Sequence, residues 1–367
     1  MKRKERMTAF AARGAILAGI LALAAGNASG QRYIPHNLVS DQPGVAAFTD
    51  PNLVNAWGIA ASASGPIWIA NNGTGTSTVY QGNGAALPLV VEIPAAPGST
   101  EGGKPTGLVF NGTSDFTVTE GSATGPARFI FAGEDGTLSG WNPSVDGTHA
   151  ILAADLSASG AIFKGLATGT TSDGNFLYAT DFHNGVVDVF DASWALVTSF
   201  TDATLPPGYA PFGIANIGGN LFVSFALQDE DAEDDVKGPG HGYVDEFDTS
   251  GNLIRRFASQ ASLDSPWGMT LAPSHFGAFS GALLIGNFGD GRINAFDLAS
   301  GAFLGPMRLP SGHPLAIDGL WGLHFGNGGQ GGAANLLFFT AGPEDESHGL
   351  FGSIRAIPAV AMVPGRR

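Results

Sequence analysis

Short apolar runs alternate along most of the chain with polar, glycine-bearing turns, and the runs carry the period of two that puts successive side chains on opposite faces of a strand. Val186-Val187-Asp188-Val189-Phe190 and Tyr243-Val244-Asp245-Glu246-Phe247 are strands of this kind. The pattern itself repeats. A glycine flanked by aromatic or proline residues before it and aliphatics after it recurs in Ala56-Trp57-Gly58-Ile59, Pro105-Thr106-Gly107-Leu108, Phe163-Lys164-Gly165-Leu166, Pro211-Phe212-Gly213-Ile214, Pro266-Trp267-Gly268-Met269 and Leu320-Trp321-Gly322-Leu323, with spacings of 49, 58, 48, 55 and 54 residues. Each copy continues into a second apolar strand, a polar turn and a third strand, and five copies add a fourth, at 87–93, 149–156, 195–200, 252–257 and 302–309. A period near fifty with four strands per copy predicts an all-β, six-bladed propeller. The sixth copy runs out of chain after Ile357, so the segment 33–39 is expected to supply its missing strand and close the ring, leaving no open sheet edge. Residues 33–357 then form one domain. The recurrent glycine belongs to the innermost strand, where the lack of a Cβ lets neighbouring backbones approach. Trp57, Trp267 and Trp321 read as packing between blades, since aromatics at a repeated position fill core.

The ends differ from this pattern. Lys2, Arg3, Lys4, Arg6 and Arg13 precede an apolar run from Ala15 to Leu23 and then small residues, which reads as a secretory leader over 1–28. The run is shorter than the roughly 20 residues a membrane span needs. The expected location is therefore outside the cytoplasm, with no stable membrane span once the leader is removed and a short tail at 358–367.

Charge narrows the partners. The 367 residues carry a formal charge of −15, and without the leader 12 basic residues face 31 acidic ones, a charge of −19. Such a surface repels nucleic acid and favours cations or neutral ligands. The expected partner is a small molecule, a glycan or an exported protein, bound by a monomer. The sequence has no cysteine, which excludes disulfides, thiolate chemistry and cysteine-bound zinc. It also contains no Gly-x-Ser-x-Gly elbow, no phosphate-binding glycine loop leading into a helix, and no His-Glu-x-x-His.

Several stretches, among them Asn37-Leu38-Val39-Ser40-Asp41, Asp50-Pro51-Asn52-Leu53-Val54-Asn55 leading into Trp57-Gly58-Ile59, Asn71-Asn72-Gly73-Thr74-Gly75, and Thr340-Ala341-Gly342-Pro343 through His348-Gly349-Leu350-Phe351, resemble a family of uncharacterised exported bacterial proteins. That family is related to the NHL-type and SMP-30-like six-bladed propellers. The resemblance spans about residues 33–357 and implies the fold and an exported location. It does not bring an activity.

By analogy with such propellers, ligands enter at one mouth of the channel, on the loops that join second to third strands. There the sequence offers Asn72, Gln228, Asp229 and Glu344 as ligand-binding residues. Glu134, Asp181, Asn71 and Asn287 are candidate oxygen ligands for Ca²⁺ or Mg²⁺, although no calcium-loop motif accompanies them. His183 and His348 are the histidines on this rim that could act as a base. The acidic run 229–235 reads as a solvated loop, and His324 as a hydrogen-bonded core residue. Two functions fit: a ligand- or protein-binding module using this loop face, or a divalent-metal-dependent lyase or lactone hydrolase, resembling the streptogramin-cleaving and SMP-30 propellers, at the same mouth.

Overall fold

The computed structural model describes residues 32–357; the expected leader and tail lie outside the described residues. Six four-stranded antiparallel sheets follow one another around an axis. Blade 1 comprises Ala56–Ala61, Ile67–Asn71, Thr76–Tyr80 and Ala86–Glu92. Blade 2 comprises Pro105–Phe110, Phe129–Gly133, Thr137–Trp141 and Ile151–Asp155, and blade 3 Phe163–Thr171, Gly174–Asp181, Val186–Phe190 and Leu196–Phe200. Blade 4 is Tyr209–Ile217, Asn220–Leu227, Tyr243–Phe247 and Leu253–Ser259; blade 5 is Pro266–Leu271, Leu283–Asn287, Ile293–Phe296 and Phe303–Pro306.

Blade 6 takes Leu320–Phe325, Leu337–Ala341 and Leu350–Ile357, and its outer strand is Arg32–Ser40, paired antiparallel from Tyr33 opposite Ala356 to Ser40 opposite Leu350. The expected closure of the ring by the N-terminal strand is what the structure contains. Two elements escape the repeat pattern: a hairpin of Thr117–Glu120 and Ala123–Pro126 inserted in blade 2, which accounts for the longest glycine spacing, and the two-residue strand Phe48–Thr49 beside the closing strand. Among the described residues no helix is long and apolar enough to cross a membrane.

The repeated glycines owe their position to a shared irregularity. In all six blades the register between the first and second strands slips at the glycine or the residue before it, as where Pro211 faces Phe225 but Ile214 faces Val223. This is a β-bulge, and it re-aims the side chain it carries. The bulged strand also presses on the next blade. A Cβ on Gly58 would collide with Thr106 O, on Gly107 with Leu166 N, on Gly213 with Trp267 O, on Gly268 with Trp321 O, and on Gly322 with Trp57 O.

Hydroxyls stitch the same contact. Thr180 Oγ1 accepts the Gly165 N–H at 2.7 Å and donates to Phe212 O of the next blade at 2.9 Å. Between blades, apolar layers such as Trp68 stacked on Phe129 at 4.1 Å form the core.

Candidate functional site

The residue before each glycine is turned by its bulge toward the axis. In three blades it is tryptophan. Trp57 and Trp321 stack at 3.5 Å, Trp267 meets both edge-on, and Phe212, Phe182 and Phe288 complete a buried aromatic plug. These tryptophans are core, as the sequence reading has it, but they pack on one another across the channel rather than only between adjacent blades.

Blade 2 has Thr106 before its glycine, and in blade 3 the position is taken by Lys164, its side chain 2% exposed. Its Nζ lies 5.4 Å from the Trp57 ring centroid, a cation over an indole face. A buried ammonium needs partners. It donates to Glu134 Oε1 at 2.6 Å and to Asp234 Oδ1 at 3.0 Å. Burial works against the charge on Lys164, yet the two carboxylates outweigh it and hold its pKa above the usual lysine value.

From there a chain of hydrogen bonds crosses the mouth. Asn72 Nδ2 donates to Glu134 Oε2 at 2.8 Å, Asn55 Nδ2 to Asn72 Oδ1 at 3.3 Å, and Trp321 Nε1 to Asn55 Oδ1 at 3.3 Å. Six residues from five of the six blades or their loops, all but blade 5, are thereby joined around the axis. Beside them an open cavity of about 330 Å³ reaches Lys164, Glu134 and Asp234 from solvent.

Glu346 joins this cluster through backbone strain. Glu344, Asp345 and Glu346 are three successive non-glycine residues at φ of 57°, 50° and 64°, a left-handed turn that side chains disfavour. The turn leaves Glu344 and Asp345 exposed and carries Glu346 inward. Its carboxyl is pushed up to about 7 by burial and then by the like charge of Glu134.

The candidate residues divide by one position of register. Asn71, Asp181 and Asn287 each end the second strand of their blade and close their own turn. Asn71 Nδ2 donates to Thr76 and Thr78, Asp181 accepts from Asn184 and the Ile162 N–H, and Asn287 Nδ2 donates to Ser262 O and Asp290. The residues one step later, Asn72, Glu134, Phe182 and Phe288, reach the axis instead.

Of the four expected metal ligands, the hydrogen bonds therefore bring only Glu134 into the axial cluster. Among the described residues no three Asp, Glu or His side chains are grouped so as to hold a metal ion. Gln228 Nε2 donates to Phe182 O at 2.6 Å, and Asp229 caps its own loop at the Glu233 N–H. His183 is exposed on its loop. His348 Nδ1 lies 2.7 Å from Asp41 Oδ2, tying the last blade to the closing strand, and its Nε2 is 3.7 Å from Glu344.

The acidic run is not wholly a solvated loop, because Asp234 crosses to Lys164 and Asp235 is drawn inward while Glu230, Asp231 and Glu233 remain exposed. His324 is only half-buried, at the edge of the opposite cavity, and its Nδ1 has no hydrogen-bond partner, so it is not the hydrogen-bonded core residue expected; desolvation lowers its pKa. Lys164 is the residue of the candidate site that the sequence reading passed over. The signal was present, since it is the sole charged residue among the six before the repeated glycines.

No protein-family model matches the chain. Among solved structures, the fold resembles virginiamycin B lyase from Staphylococcus aureus, with a TM-score of 0.51 at 14% identity, covering 89% of this chain and 100% of that one. It resembles a glucose dehydrogenase with a TM-score of 0.54 at 13% identity, covering 87% and 99%. At such identities the likeness is one of fold. By sequence, the chain is 38% identical over 330 residues to the uncharacterised protein R648 of Acanthamoeba polyphaga mimivirus, covering 86% of this chain and 78% of the viral protein. A bulged six-bladed ring and a match of this strength over most of both chains lead to one assignment: the chain belongs to the β-propeller family of that mimivirus protein.

Proposed function

We propose that this chain is an exported, monomeric propeller that binds a small molecule or glycan, without turnover, at the loop mouth built on Lys164, Glu134 and Asp234. The observation that carries the reading is the break in the repeat. Five blades place an aromatic residue or threonine before the glycine, and the sixth places a buried lysine held by carboxylates from the two adjoining blades. A charge kept on the axis at such desolvation cost is poorly explained by packing, which a sixth apolar residue would serve better.

A divalent-metal-dependent lyase or lactone hydrolase at the same mouth would need oxygens on the axis, but Asp181 spends its oxygens on Asn184 and the Ile162 N–H and Asn71 Oδ1 accepts from Thr78, while Asn287 Oδ1 stays buried and unpartnered at the end of its strand. The bacterial, exported, NHL- or SMP-30-like attributes belong to this proposal too, resting on the leader-like N-terminus and the repeat pattern.

The test is a binding screen of sugars, polyols and amines read by tryptophan fluorescence, since the plug lies under the site. A compound should bind the native protein and bind Lys164→Met at least about tenfold more weakly, roughly 1.4 kcal/mol. Equal binding to both proteins would remove the site from the axis. A thermal shift with Ca²⁺ or Mg²⁺ that EDTA reverses would restore the metal alternative.

A further inference from the structure

The end of the channel opposite the loop mouth opens into a cavity of about 380 Å³ that shares no lining residue with the loop cavity. That size lies within the range of small-molecule sites. Its wall is a single ring. The aliphatic residue after each repeated glycine is 6–9% exposed in every blade, whereas strand-core residues such as Ile69, Leu177, Val223 and Leu283 are 0% exposed. Six side chains therefore each turn an edge to one lumen, and a solute covering them would remove apolar surface from water.

Charge is missing from this wall. The chain carries 32 acidic and 17 basic residues, yet among the described residues no Asp, Glu, Lys or Arg lines the cavity. The next tier of residues breaks the repeat. Four blades place Ala60, Val109, Ala167 and Ala215 there, and two neighbouring blades place Thr270 and His324. His324 Nδ1 is sealed from solvent without a partner, while its Nε2 is neither sealed nor hydrogen-bonded. Desolvation outweighs the opposing effect of the Phe325 backbone and lowers the pKa of the ring, so it is uncharged at neutral pH. A neutral imidazole nitrogen either donates or accepts, and a hydroxyl answers both.

We propose that this far mouth is a second binding site, independent of the loop mouth, for a compact, uncharged, apolar molecule carrying one hydroxyl. Its carbon body fills the aliphatic ring, and its hydroxyl hydrogen-bonds to His324 Nε2.

The wall selects this chemistry. An ion would leave water for a surface that offers no counter-charge. A sugar would strand most of its hydroxyls against aliphatic side chains. A ring closed on all six sides suits a rounded body, and the polar groups of the second tier stand on one side of it, on blades 5 and 6.

Adamantanol, adamantanecarboxylate and adamantylammonium share one rounded skeleton and differ in charge. Calorimetry at up to about millimolar concentration should detect adamantanol, with each ion at least about tenfold weaker. Met269→Glu sets a charge in the wall where water still reaches it, and should weaken adamantanol at least about tenfold. His324→Phe keeps a ring of similar size and should weaken it about threefold or more. Circular dichroism checks that both variants are folded, and Lys164→Met should bind adamantanol as the native protein does. No binding of adamantanol, an ion bound as well as the alcohol, or indifference to Met269→Glu overturns the site. Indifference to His324→Phe overturns the hydroxyl contact. Loss of adamantanol binding in Lys164→Met would move the compound to the loop mouth and overturn the second site, whereas failure of the loop mouth in its own screen leaves this site standing.

Discussion

The two ends of the channel are made from adjacent residues of the same six strands, and they differ in nearly every respect. On the loop side stand the residues before the glycines: Trp57, Thr106, Lys164, Phe212, Trp267 and Trp321, unlike one another and joined to loop carboxylates and amides. On the other side stand the residues after the glycines: Ile59, Leu108, Leu166, Ile214, Met269 and Leu323. This aliphatic ring lines an open cavity of about 380 Å³. The aliphatic end obeys the repeat and has no charge to place. The loop end breaks the repeat, and the break carries charge and strain. In a ring of equivalent blades, symmetry reports packing, and departure from symmetry reports a site.

The sharpest way to break this comparison is at the glycines that divide the two ends. Gly268→Ala drives a methyl into Trp321 O, and backbone on both sides leaves no rotamer to yield. Thermal unfolding should show a loss of about 3 kcal/mol or more, or no folded ring at all; a near-native melting temperature would mean that the glycine is not what lets the blades approach.

Next comes a paired truncation. Trp321→Ala empties the plug and should cost about 3–5 kcal/mol, whereas Leu323→Ala, two residues away but facing the open cavity, should cost about 2 kcal/mol. Denaturant titration of both variants decides the matter, and equal losses would erase the distinction between a packed end and an open one.

The smallest effect concerns His348 at the edge of the loop mouth. Its hydrogen bond to Asp41 raises the imidazole pKa, so its contribution is complete below the unfolded value near 6.5 and disappears as pH rises through the folded pKa. His348→Gln should slightly flatten the fall of melting temperature over that window. A pH profile identical to the native one would show that this pair does not help fasten the ring.

Much of this was legible in the chain. The glycine period foretold six blades, and the surplus segment at 33–39 foretold the closure, because strand alternation and repeat length are local properties that need no knowledge of contacts. The loops of the candidate site were legible for the same reason. The residues within them were less so. Asn71 and Asn72 are chemically identical neighbours, but the end of the second strand turns the first back into its own hairpin and the second toward Glu134. Local pattern names the loop, but a shift of one residue exchanges the two faces of a strand, and only the register decides which side chain reaches the axis.

The inserted hairpin at 117–126 was hidden because its strands are too short and too mixed to stand apart from a turn. The sequence by itself thus determined the number of blades, the glycine contacts, the acidic character and the oddity of Lys164 in an aromatic position. Only the tertiary structure decided that Asp234, 70 residues further on, would meet that lysine and that Glu346, carried on a left-handed turn, would be drawn inward near Glu134. Such meetings depend on ring closure, which brings distant loops to one axis and lets desolvation set their charges.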